Sequence, residues 1–267
     1  MTTTPSVISI DRAGAVATIW LDRADKRNAL GSQVMREFAA ALDAIRDDSA
    51  VRCVVVRGRG TMFSSGIDHQ LLLEVFAKAR EVPFLHVHHD LQEVFHRMGR
   101  MTKPIVAVLH GAAVGMALEL ALAADIRIAS ADCVLGLPEI AFGIVPDVGG
   151  TTRLVRAVGE SRARELILTG RLVRGRTAER YGLVHEVADD AADLERRISR
   201  TCDRLTQHPA IAVGLAKVLC SVSADSDAAS SFRIEGIVQQ ALFGQPNLAS
   251  QFPAALAFIK EQWAAAE

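Results

Sequence analysis

The segment KPIVAVLHGAAVGMALELALAAD, residues 103–125, limits what this chain can become more than any other stretch. From residue 105 to residue 129 it is apolar enough to be weighed as a membrane span. Yet Glu119 lies near its middle, with His110 before it and Asp125 beyond. A carboxylate at the centre of a bilayer costs about 3 kcal/mol on insertion scales. That cost disappears if residues 105–109 are a buried strand, residues 111–115 a glycine turn, and residues 116–123 a helix. The segment is therefore predicted to lie in a protein core.

Such a turn has chemical uses. The first N–H groups of a helix lack intrahelical partners and carry partial positive charge, so they can hold an oxyanion. Gly111 and Gly115 let a substrate approach the backbone. Glu119, three residues after Met116, shares its face of the helix and is placed to act as acid or base. The same pattern also fits a packed turn in which Glu119 forms a structural ion pair with Arg127.

A second carboxylate cluster follows in LGLPEIAFGIVPDVGGTTRL, with Glu139 after Pro138 and Asp147 after Pro146. Proline favours extended backbone before it, which puts Glu139 where a strand ends. The apolar neighbours Leu137, Ile140, Phe142 and Ile144 can drive the pKa values of paired carboxyls apart, making one an acid and the other a base. Asp147 fits two roles, a proton carrier or the N-cap of a helix beginning near Thr151.

Elsewhere the pattern alternates. Residues 7–11 and 16–21 read as a hairpin, residues 33–46 as a helix capped by Ser32, and residues 53–56 as a buried strand. RGRGTMFSSGID looks like a surface loop and is no dinucleotide fingerprint, because Phe63 holds the third glycine position. Residues 71–79 and 84–101 read as helices, and residues 126–129 and 133–137 as strands. Beyond Thr151 the pattern is helical except for a strand at 183–187. These readings predict an α/β domain over residues 1–206 and a helical region over 207–267.

Composition removes several classes. Half of the 267 residues are apolar and the net charge is −1, so no broad basic field invites nucleic acid or an anionic membrane. Cys53, Cys133, Cys202 and Cys220 form no CxxC pair, which argues against a zinc site or disulfide framework and fits a reducing cytoplasm. The N-terminus lacks the pattern of a signal peptide. HVHHD (His86, His88, His89, Asp90) invites a metal, but the HxHxDH box would need histidine at Leu91. These residues also sit in a helical pattern, so a solvated helix face is expected instead. Neither a GxSxG elbow nor a P-loop occurs.

RADKRNAL, FSSGID, HGAAVGMALELALAAD, PEIAFGIVPDVGGTTRL, LILTGRLVRGRTAERYGLVHEV and AFIKEQW follow one another over nearly the whole chain. In that order they resemble the crotonase superfamily, the enoyl-CoA hydratase/isomerase family. The resemblance implies an α/β spiral of ββα units with a C-terminal helical region that assembles a homotrimer or homohexamer. It implies an acyl-CoA thioester substrate, fatty-acid β-oxidation as the setting, and no cofactor or metal beyond the coenzyme A of the substrate. An oxyanion hole would fall on the N–H groups of Ile67 and Met116. Glu119 and Glu139 would act on water and on the C2 proton. Arg23, Lys26, Ser65, Gly66, Asp68 and Gly115 would bind coenzyme A. Phe258 and Lys260 would do so from a tail that often reaches a neighbouring subunit's ligand.

Hydration of a 2-enoyl-CoA is the expected activity. Asp147 matches a catalytic aspartate of the dienoyl-CoA isomerases, which pair it with a glutamate at the position of Glu139, so double-bond migration is the alternative. Those isomerases, however, carry aspartate where this chain has Glu119. Met116 and Ala117 stand where many relatives have glycine, which narrows the expected site. A catalytically inactive acyl-CoA-binding protein is the alternative from another class, disfavoured by the presence of both glutamates.

Overall fold

A computed structural model describes residues 5–264, apart from the side chains of residues 84–88 and 90. Its strands are β1 (Ile8–Ala13), β2 (Val16–Leu21), β3 (Cys53–Gly58), β4 (Ile105–Leu109), β5 (Ala112–Val114), β6 (Ile126–Ser130), β7 (Val134–Gly136), β8 (Val173–Arg174) and β9 (Glu186–Ala188). Among them run α1 (Ser32–Arg46), α2 (His69–Lys78), α3 (Phe84–Arg100), α4 (Met116–Leu122), α5 (Gly150–Val158), α6 (Glu160–Thr169) and α7 (Gly175–Tyr181). After β9 come α8 (Ala191–Gln207), α9 (Ala210–Asp225), α10 (Ala228–Phe243) and α11 (Phe252–Ala264).

β3 and β4 are apolar at nearly every position because both faces of their sheet are covered. Successive side chains point to opposite faces, so Val54, Val56, Ala107 and Leu109 enter one core with Phe38 and Phe95. Cys53, Val55, Val106 and Val108 enter a second core with Leu194, Ile198 and Cys202 of α8. The large sheet has the order β1-β2-β3-β4-β6-β9, parallel except for the β1/β2 hairpin. A smaller sheet has the order β5-β7-β8.

The chain moves between these sheets in a repeated step. β4 joins the large sheet, β5 the small one, and α4 follows; β6 and β7 repeat the step before a 3-10 turn, Glu139–Phe142. Residues 111–115 are thus not a simple turn but contain β5, which pairs with β7 in parallel. β8, a two-residue strand, escapes periodicity reading because it is too short to show a period. Ser32 is the first residue of α1 rather than its cap; Gly31 holds the cap position, and the Ser32 hydroxyl donates to Glu74 at 2.8 Å.

By contacts the chain forms two compact units, Met1–Gly214 and Leu215–Glu267. The second is helical and exposes Phe232, Ile237, Phe243, Leu256, Ile259 and Trp263. HVHHD falls within α3 as the helical pattern predicts; the His86, His88 and Asp90 side chains lie outside the described residues, and His89 is exposed.

Arg127 on β6 is buried and joins three elements. Its Nε donates to Leu183 O at 2.7 Å and its Nη1 to Ala124 O at 3.0 Å, while its main-chain N–H donates to His185 Nδ1 at 3.1 Å. It is therefore engaged with one carbonyl just after α4 and one just after α7, not with Glu119. Replacing Arg127 with methionine leaves two buried carbonyls unpaired and is expected to lower stability by about 3 kcal/mol, measurable by urea denaturation.

Candidate active site

Two loops are first locked together by one buried amide. Asn28 is 1% exposed and adopts left-handed backbone, φ 52, which asparagine tolerates better than most residues. Its Nδ2 donates to Arg59 O and Met62 O at 2.8 and 2.9 Å, and its Oδ1 accepts from the Arg23 N–H at 3.0 Å. Ser64 Oγ donates to Asn28 O at 2.8 Å and accepts from the Gly66 N–H at 3.1 Å. RGRGTMFSSGID is therefore no surface loop, since Phe63, Ser64 and Gly66 are all buried. Sequence reasoning misses Asn28 as a functional candidate. Its one signal is an asparagine in a polar run just before buried Leu30.

These contacts carry Ile67 towards Met116. The Leu30 N–H donates to Gly66 O at 2.8 Å and the Asp68 N–H to Leu30 O at 3.0 Å, a bridge in which the Ile67 N–H takes no part. On the other side Ser64 pairs with Ala113 of β5. Only glycine fits at position 66, where φ is 95 and a Cβ would lie 2.5 Å from Val114 O and 3.7 Å from the Met116 nitrogen. Gly115 turns the chain into α4 with φ 60 and ψ −133. The Met116 N–H, first in that helix, has no intrahelical acceptor. Two main-chain donors thus stand on adjacent segments, beside the end of β5.

Glu139 packs against this junction. Its Oε1 lies 3.1 Å from where a Gly115 Cβ would be, so any side chain there would press on the carboxyl. Its Oε2 is buried and makes no hydrogen bond among the described residues. Burial raises its pKa and the Asp147 charge adds to this, with its own main-chain N–H pulling the other way. The expected apolar surround is only partly present. Leu137 is buried, whereas Ile140 and Phe142 are 40% and 74% exposed.

Glu119 is 2% exposed. Its Oε1 accepts the Val148 N–H at 3.1 Å and the Gly150 N–H at 2.9 Å. Its pKa is pushed up to about 8, first by burial, then by the Glu139 charge, and further by Asp147; the two N–H groups act against this. Asp147 is half-buried and is not the cap of α5, because Gly149 occupies that position. The main-chain oxygen of Asp147 accepts from Gln92 Nε2 of α3 at 2.8 Å. Three carboxyl groups therefore sense one another's charge around the start of α4.

The other candidate residues are placed as follows. Arg23 is ion-paired with Asp68, which also caps α2 by accepting the Gln70 N–H at 2.9 Å. Both side chains line a groove of about 420 Å³ with Arg36, Gln70 and Glu74. Lys26 is exposed at the end of a 3-10 turn, Ala24–Lys26, and Ser65 is half-buried with its N–H on Arg27 O. Phe258, half-buried, and Lys260, exposed, belong to α11 of the second unit. No group of three or more His, Cys, Asp or Glu among the described residues could hold a metal.

The raised Glu119 pKa has a signed consequence. Between its ordinary value of 4.5 and about 8, the folded chain keeps a proton that the unfolded chain has released. Rising pH therefore favours unfolding across that window, by roughly 1.4 kcal/mol per pH unit for one proton. Glu119→Gln keeps the acceptor for Val148 and Gly150 but does not titrate. Its stability, measured by denaturant titration, is expected to exceed that of the parent chain by a margin that grows from pH 5 to about pH 8.

A family model for enoyl-CoA hydratase/isomerase matches residues 11–258. A Bacillus subtilis protein named "Probable enoyl-CoA hydratase" is 40% identical over 187 residues, 70% of each chain. The crystal structure of enoyl-CoA hydratase from Bacillus anthracis superposes with a TM-score of 0.86 at 29% identity, covering 96% of each chain. A Thermobifida fusca chain solved in complex with acetoacetyl-CoA gives a TM-score of 0.80 at 32% identity, covering 89% of this chain and 95% of that one. The spiral of paired strands and helices, with its carboxyl groups gathered at the start of α4, belongs to an enzyme of the enoyl-CoA hydratase/isomerase family.

Proposed function

We propose that this enzyme adds water across the double bond of a 2-enoyl-CoA through the carboxyl groups of Glu119 and Glu139. The observation that carries this is their placement: Glu139 lies against Gly115, beside the Met116 N–H, and its charge acts on Glu119. The thioester carbonyl would accept hydrogen bonds from the Ile67 and Met116 N–H groups. Water oxygen then bonds to C3, the C2–C3 π electrons move onto the thioester oxygen, and the enolate collapses as C2 takes a proton. One glutamate, ionised, accepts a proton from water; the other, neutral, supplies the proton at C2. Two carboxyls with raised pKa values near one another suit this division, because the first to ionise holds the second neutral.

One oxyanion-hole donor is worth about 3–4 kcal/mol to the barrier where a side-chain donor has been removed in hydrolases. The thioester supplies the acidity at C2, so the chemistry calls for no metal or redox cofactor. Acyl-CoA as substrate is supported by the Thermobifida fusca complex with acetoacetyl-CoA. Arg23, Lys26, Ser65, Gly66, Asp68 and Gly115 would form the coenzyme A path, with Phe258 and Lys260 serving it from the tail. A homotrimer or homohexamer is supported by the exposed apolar side chains of the second unit, which are more numerous than a lone helical unit would leave in water. A cytoplasmic place in fatty-acid β-oxidation completes the proposal, supported by the chemistry and by four cysteines held as thiols.

Asp147 favours a second activity. Its charge raises the pKa of both Glu119 and Glu139, a coupling that double-bond migration in a 3,5-dienoyl-CoA would use. Ultraviolet absorbance separates the activities. Loss of the enoyl-thioester band of crotonyl-CoA reports hydration, whereas growth of a longer-wavelength band from a 3,5-dienoyl-CoA reports isomerisation. Hydration is expected, and Glu119→Gln or Glu139→Gln is expected to lower its kcat by about 100-fold or more. No change in either band at high enzyme concentration would leave an acyl-CoA-binding protein instead.

A further inference from the structure

We propose that Arg153 is a positioning residue for Glu119, clamping from behind the main chain that holds this carboxyl. Resting on the hydratase reading, it concerns a side chain one turn into α5. Arg153 Nη1 donates to Val148 O at 3.0 Å, and the Val148 N–H donates to Glu119 Oε1 at 3.1 Å. One residue is therefore gripped on both sides, by the guanidinium through its carbonyl and by the glutamate through its N–H. The Gly150 N–H, two residues on, supplies the second bond to Glu119 at 2.9 Å. Between them Gly149 leaves room for the guanidinium, because a Cβ there would overlap Arg153 Nη1 and crowd Cζ, 2.8 Å away.

Arg153 also brings positive charge to the site; the Glu119 charge acts on it, and a Coulomb interaction is reciprocal. The groups around it come from three elements: Glu119 on α4, His96 on α3 and Arg156 on α5 itself. Glu119 is faced in turn by Glu139 from the 3-10 turn and by Asp147 from the loop before α5. Arg153 is thus a cation opposing two added negative charges around a buried carboxyl. Burial lowers its own pKa, and Glu119 raises it. Removing the cation destabilises the ionised form of Glu119 and moves its titration to higher pH.

The two roles separate by substitution. Arg153→Lys keeps the charge and loses the planar contact with Val148 O. Arg153→Met loses both. For crotonyl-CoA hydration, Arg153→Lys is expected to lower kcat about tenfold with KM held within about twofold, since misplacing a reacting group costs rate more than binding. The pH limb set by Glu119 stays in place in that variant. In Arg153→Met it moves to higher pH whether Glu119 acts as acid or base.

The same linkage is read without activity, from the change in thermal midpoint that Glu119→Gln produces at each pH. That change starts at the same pH in both backgrounds, where the unfolded chain releases its proton, but keeps growing to a higher pH in the Arg153→Met background than in the parent chain. Unchanged kcat per folded enzyme in both Arg153 variants, with only a lower thermal midpoint, would overturn the proposal by leaving Arg153 a merely structural group. So would a midpoint change whose pH dependence ignores residue 153. If the parent chain hydrates nothing, the hydratase reading fails separately, and the midpoint series still decides the role of Arg153.

Discussion

Everything at this site depends on keeping one carboxyl group nearly dry. Glu119 gains two main-chain hydrogen bonds in exchange for its water, and these offset only part of the cost of burying charge. The remainder appears as a proton held far above the ordinary carboxyl range. The surrounding architecture is arranged to sustain that condition. α4 is buried along its whole length, residues 148–150 close over it, and Glu139 and Asp147 add negative charge rather than relieving it.

The same requirement explains the two sheets. A buried helix start needs a strand to deliver it and a neighbour to shield it. β4 delivers the chain to β5, and β5 is shielded by its pairing with β7 and by the bridge from Ser64 to Ala113. The loop that supplies Ile67 is drawn inward by Asn28, whose amide satisfies two carbonyls that would otherwise be stranded in the interior. Fold and site are therefore not separate layers, since the hydrogen bonds that close the core are those that aim the donors.

Legibility in the sequence followed the length of each signal. β3, β4, α1 and α3 carry enough periodic apolar positions to be placed within about three residues at either end. Glu119, Glu139 and Asp147 stood out in the sequence as candidates, because Glu139 and Asp147 each follow a proline and Glu119 lies one turn after Gly115. β5 and β8, at three and two residues, hold no period, and their existence depends on pairing with distant strands. Asn28 was silent for the same reason, as the two carbonyls its Nδ2 serves lie more than thirty residues away. Capping by Ser32 and by Asp147 failed because side chains in this fold are claimed by tertiary partners first: Glu74 takes the Ser32 hydroxyl, and Gly149 leaves no cap role for Asp147.

The groups that grip Glu119 are peptide N–H atoms, as are the two donors proposed at residues 67 and 116. Side-chain replacement does not erase a peptide group, so the walls around them can drift in size and shape while the donors stay fixed. Divergence is constrained instead at the small residues that allow the backbones to come so close, Gly66, Gly115 and Gly150. A lineage carrying this scaffold can vary the side chains packed around the start of α4, Met116 and Ala117 among them, without rebuilding its polar framework.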